Sequence, residues 1–527
     1  MAAGLSAAQW LPSLEFLRLS VRADVNYAFV SGGFPLQDSW QLLLPGVLTT
    51  YSPLYIGVGG LQLALCTLIW AARGSQVRAD AHGALPWRAG VGFFGGMAFL
   101  ALLASYGGHG PLYPLLYRFA PGWNLFRGQE RAAYLVALAL CVLAGYGLAL
   151  TPRVSDAWRR RGALWSGAVT VAGVYAFGLL WQMPGRTAIG NGAYLLIAAE
   201  TLIVGAAVAL MVWLPGWPRR KTQLLVVLVA GMLFVANAGT NLDTGTPSEK
   251  TQAAPEMRAV QQAVAESRAT TGVPGRVYNE YRVYDDYGMR AQVEDVWGSS
   301  PLRLARYARL FEDFPLDRMW RLLGVEHVLT WRRELFGPTE RLAEFPQAAD
   351  TTYLHRLPDA HPRAWWADAV QVVDDDTAWQ MLADHQVDLD SVALLAQPVG
   401  IDVAAAPGAS AVRLTRLAHH RLRVEASRSV PGFLVVAENW MPGWRVTQVR
   451  CAEPAACVPG SAPGGLLQPV RADLTLVGIP LPAGEVAFDL VYAPASVRWG
   501  LWVSGVTALL LAVVMGGALV RRLSEGA

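Results

Sequence analysis

The stretch Ala132–Leu150, AAYLVALALCVLAGYGLAL, runs through nineteen positions without a charged side chain. An α-helix rises about 1.5 Å per residue, so a bilayer core of about 30 Å needs about 20 such residues. Working outward from this run, six more of similar length and polarity appear: Tyr51–Ala72, Ala89–Gly107, Ala163–Met183, Gly192–Leu214, Thr222–Thr240 and Trp499–Val520. Glu200 is the one charged residue inside any of them. The chain has 527 residues, 53% hydrophobic and 16% charged, against about 25% charged in soluble domains. Its 20 Trp and 52 Gly suit bilayer interfaces and closely packed spans. A net charge of +3 over this length leaves no electrostatic footprint for nucleic acid.

Lys and Arg in the short loops set orientation. Arg73, Arg78, Arg88, Arg153, Arg159, Arg160, Arg161, Arg219, Arg220, Lys221, Arg521 and Arg522 fall on one side, twelve in all. The alternate loops hold four: Arg118, Arg127, Arg131 and Arg186. The first set is therefore expected in the cytoplasm, with the C-terminus. Residues 1–50 and the polar block Asn241–Arg498 are expected outside. No Lys or Arg precedes the short apolar stretch in residues 2–21, and no signal-peptide pattern appears. Met1–Leu14 reads as the tail of a helix whose beginning is missing.

Five regions follow: an extracytoplasmic segment at 1–50, a six-helix membrane domain at 51–240, an extracytoplasmic α+β domain at 241–403, a β-sandwich at 404–498, and a final span with cytoplasmic tail at 499–527. Pro247–Pro255 and Ala404–Gly408 read as linkers. Met257, Val260 and Val264 recur at helical spacing, predicting a helix over Pro255–Ala269. Arg276–Val283 and Val325–Trp331 are strand candidates. After residue 408 the apolar period becomes two in His420–Ser427, Gly432–Asn439, Trp444–Arg450, Leu474–Ile479 and Glu485–Tyr492. Such strands, with Pro and Gly between them, predict a small antiparallel β-sandwich. Of four cysteines, Cys66 and Cys141 lie in apolar runs and read as inert packing residues. Cys451 and Cys457 lie in the polar block, where an oxidising compartment would permit a bond between them.

The stretches FLVVAENWMPGWR (Phe433–Arg445) and VGIPLPAGEVAFDLVYAPASVRWGL (Val477–Leu501) resemble the C-terminal end of the YfhO family of bacterial membrane proteins. VWGSSPLRLARY (Val296–Tyr307), LLGVEHVLTW (Leu322–Trp331), LPDAHPRAWW (Leu357–Trp366), GPLYPLLYRFAPGWNLFRGQER (Gly110–Arg131) and LPSLEFLRLSVR (Leu11–Arg22) extend the similarity in order along the chain. The resemblance implies a glycosyltransferase of the C-type superfamily, passing a sugar from a polyprenyl-phosphate carrier to an envelope acceptor outside the membrane. The catalytic acid of that superfamily lies in an outer loop after its first span. That loop is expected upstream of the matching part, so the resemblance assigns no catalytic residue here.

Several clusters are candidates for chemistry. His109, Arg118, Arg127, Glu130 and Arg131 lie on the outer side at headgroup depth, where Arg can hold two phosphate oxygens at once. The resemblance implies a donor site there, while lipid phosphates are the plain alternative. Trp123 and Phe126 are expected to anchor the same loop in the interface. Glu15, Arg18, Arg22 and Asp24 form a second outer cluster, with Glu15 and Arg18 on one helix face. They read either as a phosphate-binding group or as snorkelling ion pairs. Glu200 at mid-membrane calls for a cavity or a polar partner, Asn191 and Asn237 being candidates. Trp440, Trp444, Trp365 and Trp366 read either as glycan-stacking or as core side chains. The triplet Asp374, Asp375 and Asp376 reads as a solvated helix start. His419 and His420 alternate faces on a strand and cannot chelate one ion, so no metal set emerges, and a divalent metal has no support.

Three functions follow from these readings. The first is transfer from a lipid-linked sugar. The second is a non-catalytic membrane protein whose outer domain binds glycan or a partner membrane enzyme. The third is a lipid transporter, although no broken, repeated helix pair marks one.

Overall fold

The computed structural model describes residues 1–47, 52–72, 87–181, 191–237, 254–283, 287–298, 300, 302–347, 350–385, 387–452, 457 and 464–525. Arg73, Arg78, Arg186 and most of the linker at 247–255 lie outside the described residues. The chain forms two compact units, Val25–Thr246, and Met1–Asp24 together with Pro247–Ala527. The 1–50 segment therefore divides between them at Asp24.

The first unit is a helix bundle: Val58–Ala72, Trp87–Ser105, Ala133–Leu150, Asp156–Trp181, Asn191–Trp213 and Arg219–Asn237. Six described helices are long and apolar enough to cross a membrane, five of them here and the sixth beginning at Ala495. The run Tyr51–Ala72 departs from expectation. Its helix covers 15 residues, about 22 Å, which falls short of the bilayer core. Pro53 and Gly57, the latter at φ +80, hold the chain out of a helix before Val58. This short helix is instead the centre of the bundle, with ten buried residues from Val58 to Trp70.

Close packing around it depends on small side chains. Thr67 donates to the Leu63 carbonyl at 2.9 Å and sits 3.0 Å from that of Leu143. A Cβ on Gly147 would collide with the Leu63 oxygen and stand 2.7 Å from Thr67 Oγ1. We expect Gly147→Val to destabilise the bundle by about 1–3 kcal/mol. An unchanged thermal midpoint in detergent would count against this packing account. Away from the centre, Phe93, Phe99, Leu196, Ile203 and Phe234 are exposed. A continuous outward apolar surface of this kind is suited to lipid.

The second unit contains three sheets. One orders β1 (Arg276–Asn279), β2 (Val325–Thr330), β4 (Thr351–Arg356) and β3 (Glu340–Pro346) as β1-β2-β4-β3. The Pro255–Thr271 helix, two residues longer than its predicted span, packs Val260 and Val264 on Val277, Leu329 and Leu354 of this sheet. It ends at Gly272, whose φ of +81 suits a helix stop that other residues adopt at a cost.

The other strands are β5 (Ala364–Ala367), β6 (Ala369–Val372), β7 (Val392–Leu395), β8 (Ala411–Ala418), β9 (Arg421–Arg428), β10 (Gly432–Asn439), β11 (Trp444–Cys451), β12 (Val470–Ala472), β13 (Leu476–Leu481) and β14 (Gly484–Tyr492). They form a six-stranded sheet, β5-β10-β13-β12-β7-β6, and a four-stranded antiparallel sheet, β11-β14-β9-β8. Leu434, Val436 and Ile479 of the first meet Val424, Phe488 and Leu490 of the second. On its opposite face the six-stranded sheet uses Phe433, Val435 and Ala437 to cover Met319, Trp320 and Leu382 from the Leu316–Leu323 and Asp375–Ala383 helices. β10 is thus buried on both faces, which explains its continuous apolar run. The sandwich is not confined to 404–498. Strands β5, β6 and β7, all before residue 404, complete its larger sheet.

The N-terminal helices Ala2–Leu5 and Ala7–Leu19 lie against the last helix, Ala495–Glu525. Ala8 N–H donates to Ser504 Oγ at 3.0 Å, and Ser504 Oγ donates to the Gly4 carbonyl at 3.2 Å. Gly500 admits the Ala7 carbonyl, where a Cβ would stand 2.6 Å away. Gly4 meets Thr507 while Ala7 meets Gly500, so the two helices run antiparallel.

Candidate functional site

In the helix-bundle unit, the segment after Asp24 folds back onto the residues that link the second and third long runs. Phe34 N–H donates to the Ser105 carbonyl at 2.9 Å, and Gln129 N–H to that of Gly32 at 3.3 Å. Ser39 and Tyr106 share a hydroxyl hydrogen bond of 2.6 Å. These contacts bury Asp38, which is 6% exposed, within electrostatic reach of His109. Burial raises the Asp38 carboxyl above its usual range, and His109 opposes the rise. Asp38 lies between Gln37 and Ser39 in a 3₁₀ turn, Leu36–Leu42, where Gln41 is the other buried side chain. No other charged residue lies between Asp24 and Arg73, so nothing in the sequence marks it.

The same loop carries the predicted cations. Arg118, Arg127 and Arg131 are exposed and make no ion pair among the described residues, and Glu130 is half-buried. Arg127 instead lies over the Phe29 ring at 5.2 Å, and Arg118 over Phe119 at 5.7 Å. Gly128, at φ +86, turns the chain so that Arg131 folds back over it. Tyr27 stacks edge-on with Tyr117, and Trp123 and Phe126 stay exposed beside them. Such a collar of aromatic and cationic side chains suits a membrane–water interface. Glu200 lies by the Tyr55 hydroxyl. Asn237 donates to the Leu233 carbonyl in its own helix; the Asn191 side chain lies outside the described residues. An apolar groove of about 580 Å³ runs past Gln62, Gly167 and Gly205, and no described residue lining it is titratable.

In the second unit a cavity of about 570 Å³ lies among β1, the Val293–Gly298 loop, the end of β10 and the β11–β14 pair. Its floor is an ion network unmarked in the sequence. Arg276, Arg363 and Arg416 converge on one oxygen of Glu438, at 3.2, 2.7 and 2.8 Å. The same three guanidiniums meet Glu294 at 3.5, 3.1 and 3.0 Å. Burial opposes ionisation of Glu438, but the guanidiniums of Arg276, Arg363 and Arg416 hold its carboxyl below the usual range. Burial pushes Arg363 down to about 10, with Arg276 adding to the shift, so it stays charged at neutral pH. Three cations face two anions, and the network carries a net charge of +1.

One wall of this cavity is aromatic. Trp444 and Tyr492, paired across β11 and β14, lie with ring centroids 5.4 Å apart. Burial raises the Tyr492 hydroxyl, and Glu15 adds to the rise from the N-terminal helix. Glu15 and Arg18 lie within the Ala7–Leu19 helix, and Arg22 and Asp24 follow its end. Trp440 packs against the sandwich core and does not line the cavity, and Trp365, on β5, is buried in the core. Trp366 donates to the Ala411 carbonyl at 3.2 Å. Of the four tryptophans, Trp444 alone faces the cavity.

His419 and His420 occupy the turn between β8 and β9 at the cavity rim, rather than alternating along a strand. Asp374 caps the Asp375–Ala383 helix by accepting from Asp376 N–H and Thr377 N–H. Asp375 pairs with Arg306 at 2.8 Å and Arg471 at 2.7 Å, and Asp376 with Arg309 at 2.8 Å. The sulfurs of Cys451 and Cys457 are bonded. Cys66 is buried, whereas Cys141 is exposed on its helix rather than packed. Among the described residues no group of three His, Cys, Asp or Glu is placed to hold a metal. Comparison with protein-family models, curated proteins and solved structures finds no match.

Proposed function

We propose that this chain works in a bacterial cytoplasmic membrane, with its large domain outside and its C-terminus inside, as a YfhO-like glycosyltransferase or the C-terminal portion of one. Its donor is a sugar on a polyprenyl phosphate and its acceptor a hydroxyl of the cell envelope. The observation that carries this reading is the buried Asp38 beside His109, on a segment packed against the loop of Arg118, Arg127 and Arg131. A carboxylate whose pKa is raised toward the working pH is a better general base. Cations without carboxylate partners suit a phosphate that gains charge as the sugar leaves.

In this reading the acceptor oxygen attacks the anomeric carbon and gives its proton to Asp38. The bond from that carbon to the phosphate oxygen breaks, and its electron pair stays on the phosphate, held by Arg127 and Arg131. Asp38→Asn in the full-length protein is expected to lower transfer from a labelled polyprenyl-phosphate sugar by about 10²–10⁴-fold. The thermal midpoint should stay unchanged. Undiminished transfer by the variant rejects Asp38 as the base. Absence of transfer by the wild type, with unchanged envelope sugar in a deletion strain, rejects the enzyme.

A further inference from the structure

The cavity of the second unit has three features that together define a ligand. Its floor is polar and fixed, because each guanidinium there faces two carboxylates and two of the three also bond backbone. Arg276 also donates to the Leu323 carbonyl at 2.9 Å and Arg363 to that of Pro274 at 3.2 Å. Its wall is a flat apolar ring, Trp444, locked by donation from its indole N–H to the Asn439 carbonyl at 3.0 Å. Its volume, about 570 Å³, lies in the range of small-molecule sites.

Spare hydrogen-bond donors narrow the choice further. The three Arg face Glu294 and Glu438, and Asp295 also lines the cavity, so the charges balance and an anion must be held by a donor the network leaves unused. Arg416 is the most open of the three, its side chain 21% exposed against 12% and 7% for Arg276 and Arg363. One Nη donates to Glu438, Nε stands 3.0 Å from Glu294 without a hydrogen bond, and the second Nη has no protein partner among the described residues. A rigid, partly desolvated guanidinium with a donor to spare is a receptor for an oxyanion. An aromatic face opposite hydrogen-bonding charges suits a ring with one apolar C–H face and hydroxyls at its edge.

We propose that this cavity binds an acidic saccharide: a sugar ring stacked on Trp444, with its carboxylate or phosphate on Arg416. The site is independent of the transfer reading above, since none of its residues belongs to the Asp38 cluster. His419 and His420 at the rim stand where further sugar units would pass out to solvent.

Full-length protein in detergent, titrated by calorimetry with D-glucuronate, glucose 6-phosphate and D-glucose, tests this. At least one of the two acidic probes should bind saturably, with glucose about tenfold weaker or more. Preference for glucuronate or for glucose 6-phosphate identifies which anion the site is shaped to take. Trp444→Leu and Arg416→Gln should each weaken the acidic probe by about tenfold or more. Because Arg416 also belongs to the ion network, Trp444→Leu decides if Arg416→Gln fails to fold. Glucose binding as tightly as the acids overturns the assignment. So does the absence of saturable binding by any probe up to about 10 mM, or acidic binding left intact in folded Trp444→Leu.

Discussion

Replacing Glu438 by Gln should unfold the β-rich region at markedly lower temperature than the wild type. Glu438 accepts from Arg363, Arg416 and Arg276, which come from three separate parts of the fold. Arg276 stands on β1, Arg416 on β8 and Glu438 on β10, one from each of the three sheets. Removing the carboxylate leaves three buried or half-buried guanidiniums against Glu294 alone. Loss of one partner from a buried ion network typically costs about 3–5 kcal/mol. For a region of this size that corresponds to a drop on the order of 10 °C in melting temperature. The carboxyl is held below its ordinary value of 4.5. Its contribution is therefore fully present above that pH and is lost as pH falls through the folded-state value. The wild type should approach the variant's stability only in acid. Tryptophan fluorescence during thermal unfolding reads both effects, and a shift of less than about 2 °C at neutral pH would reject the network as a tie between sheets. A double-mutant cycle with Arg363→Met should show coupling of roughly 1 kcal/mol or more, since the two side chains touch.

How far these features were legible in the sequence depends on whether their signal is local. The runs that became long helices announce themselves by length and lack of charge. β10 has the bounds read for it, Gly432–Asn439, because it is a continuous apolar strand between a Pro-Gly turn and Trp440. β8 escaped notice because Leu414 is its one fully buried residue, so its apolar alternation is faint. β12 has three residues, too few for any period. The short helix Val58–Ala72 looked like a span because burial in a bundle and burial in lipid demand the same apolar composition. The sites were harder to find. Asp38 gains its environment from residues about 70 positions away, and the Arg–Glu network joins five segments between Arg276 and Glu438. No spacing rule links such residues before the strands pair. Trp444 was legible as a ligand-facing candidate, but distinguishing it from Trp440 required the sheet that turns the two rings apart.

Asp473 should make the same region lose stability as pH rises through neutrality, and Asp473→Asn should abolish that loss. The side chain is 2% exposed in the turn between β12 and β13, with φ at +45. Its Oδ1 accepts from Leu394 N–H at 2.8 Å, and its own N–H donates to the Leu394 carbonyl at 2.8 Å. The carboxyl therefore continues the ladder beyond the single register pair Ala472↔Leu395, doing for β7 what a strand carbonyl would do. No cation balances it among the described residues. Burial raises its pKa from 3.8 to about 7, the bond from Leu394 lowering it only in part. The folded-state value lies above the unfolded one, so the stabilisation is complete below about pH 4 and disappears as pH climbs through about 7. Three pK units correspond to a loss on the order of 4 kcal/mol. Asparagine keeps the oxygen that Leu394 needs, tolerates a positive φ better than most residues, and cannot ionise. At pH 8 the variant should thus exceed the wild type by a few kcal/mol, while near pH 4 the two should nearly coincide. The window is distinct from that of Glu438, whose contribution is lost toward acid. Chemical unfolding of both proteins at a series of pH values measures the difference directly. Parallel profiles for wild type and Asp473→Asn would show that the carboxyl ionises without cost, and that the turn admits water to it.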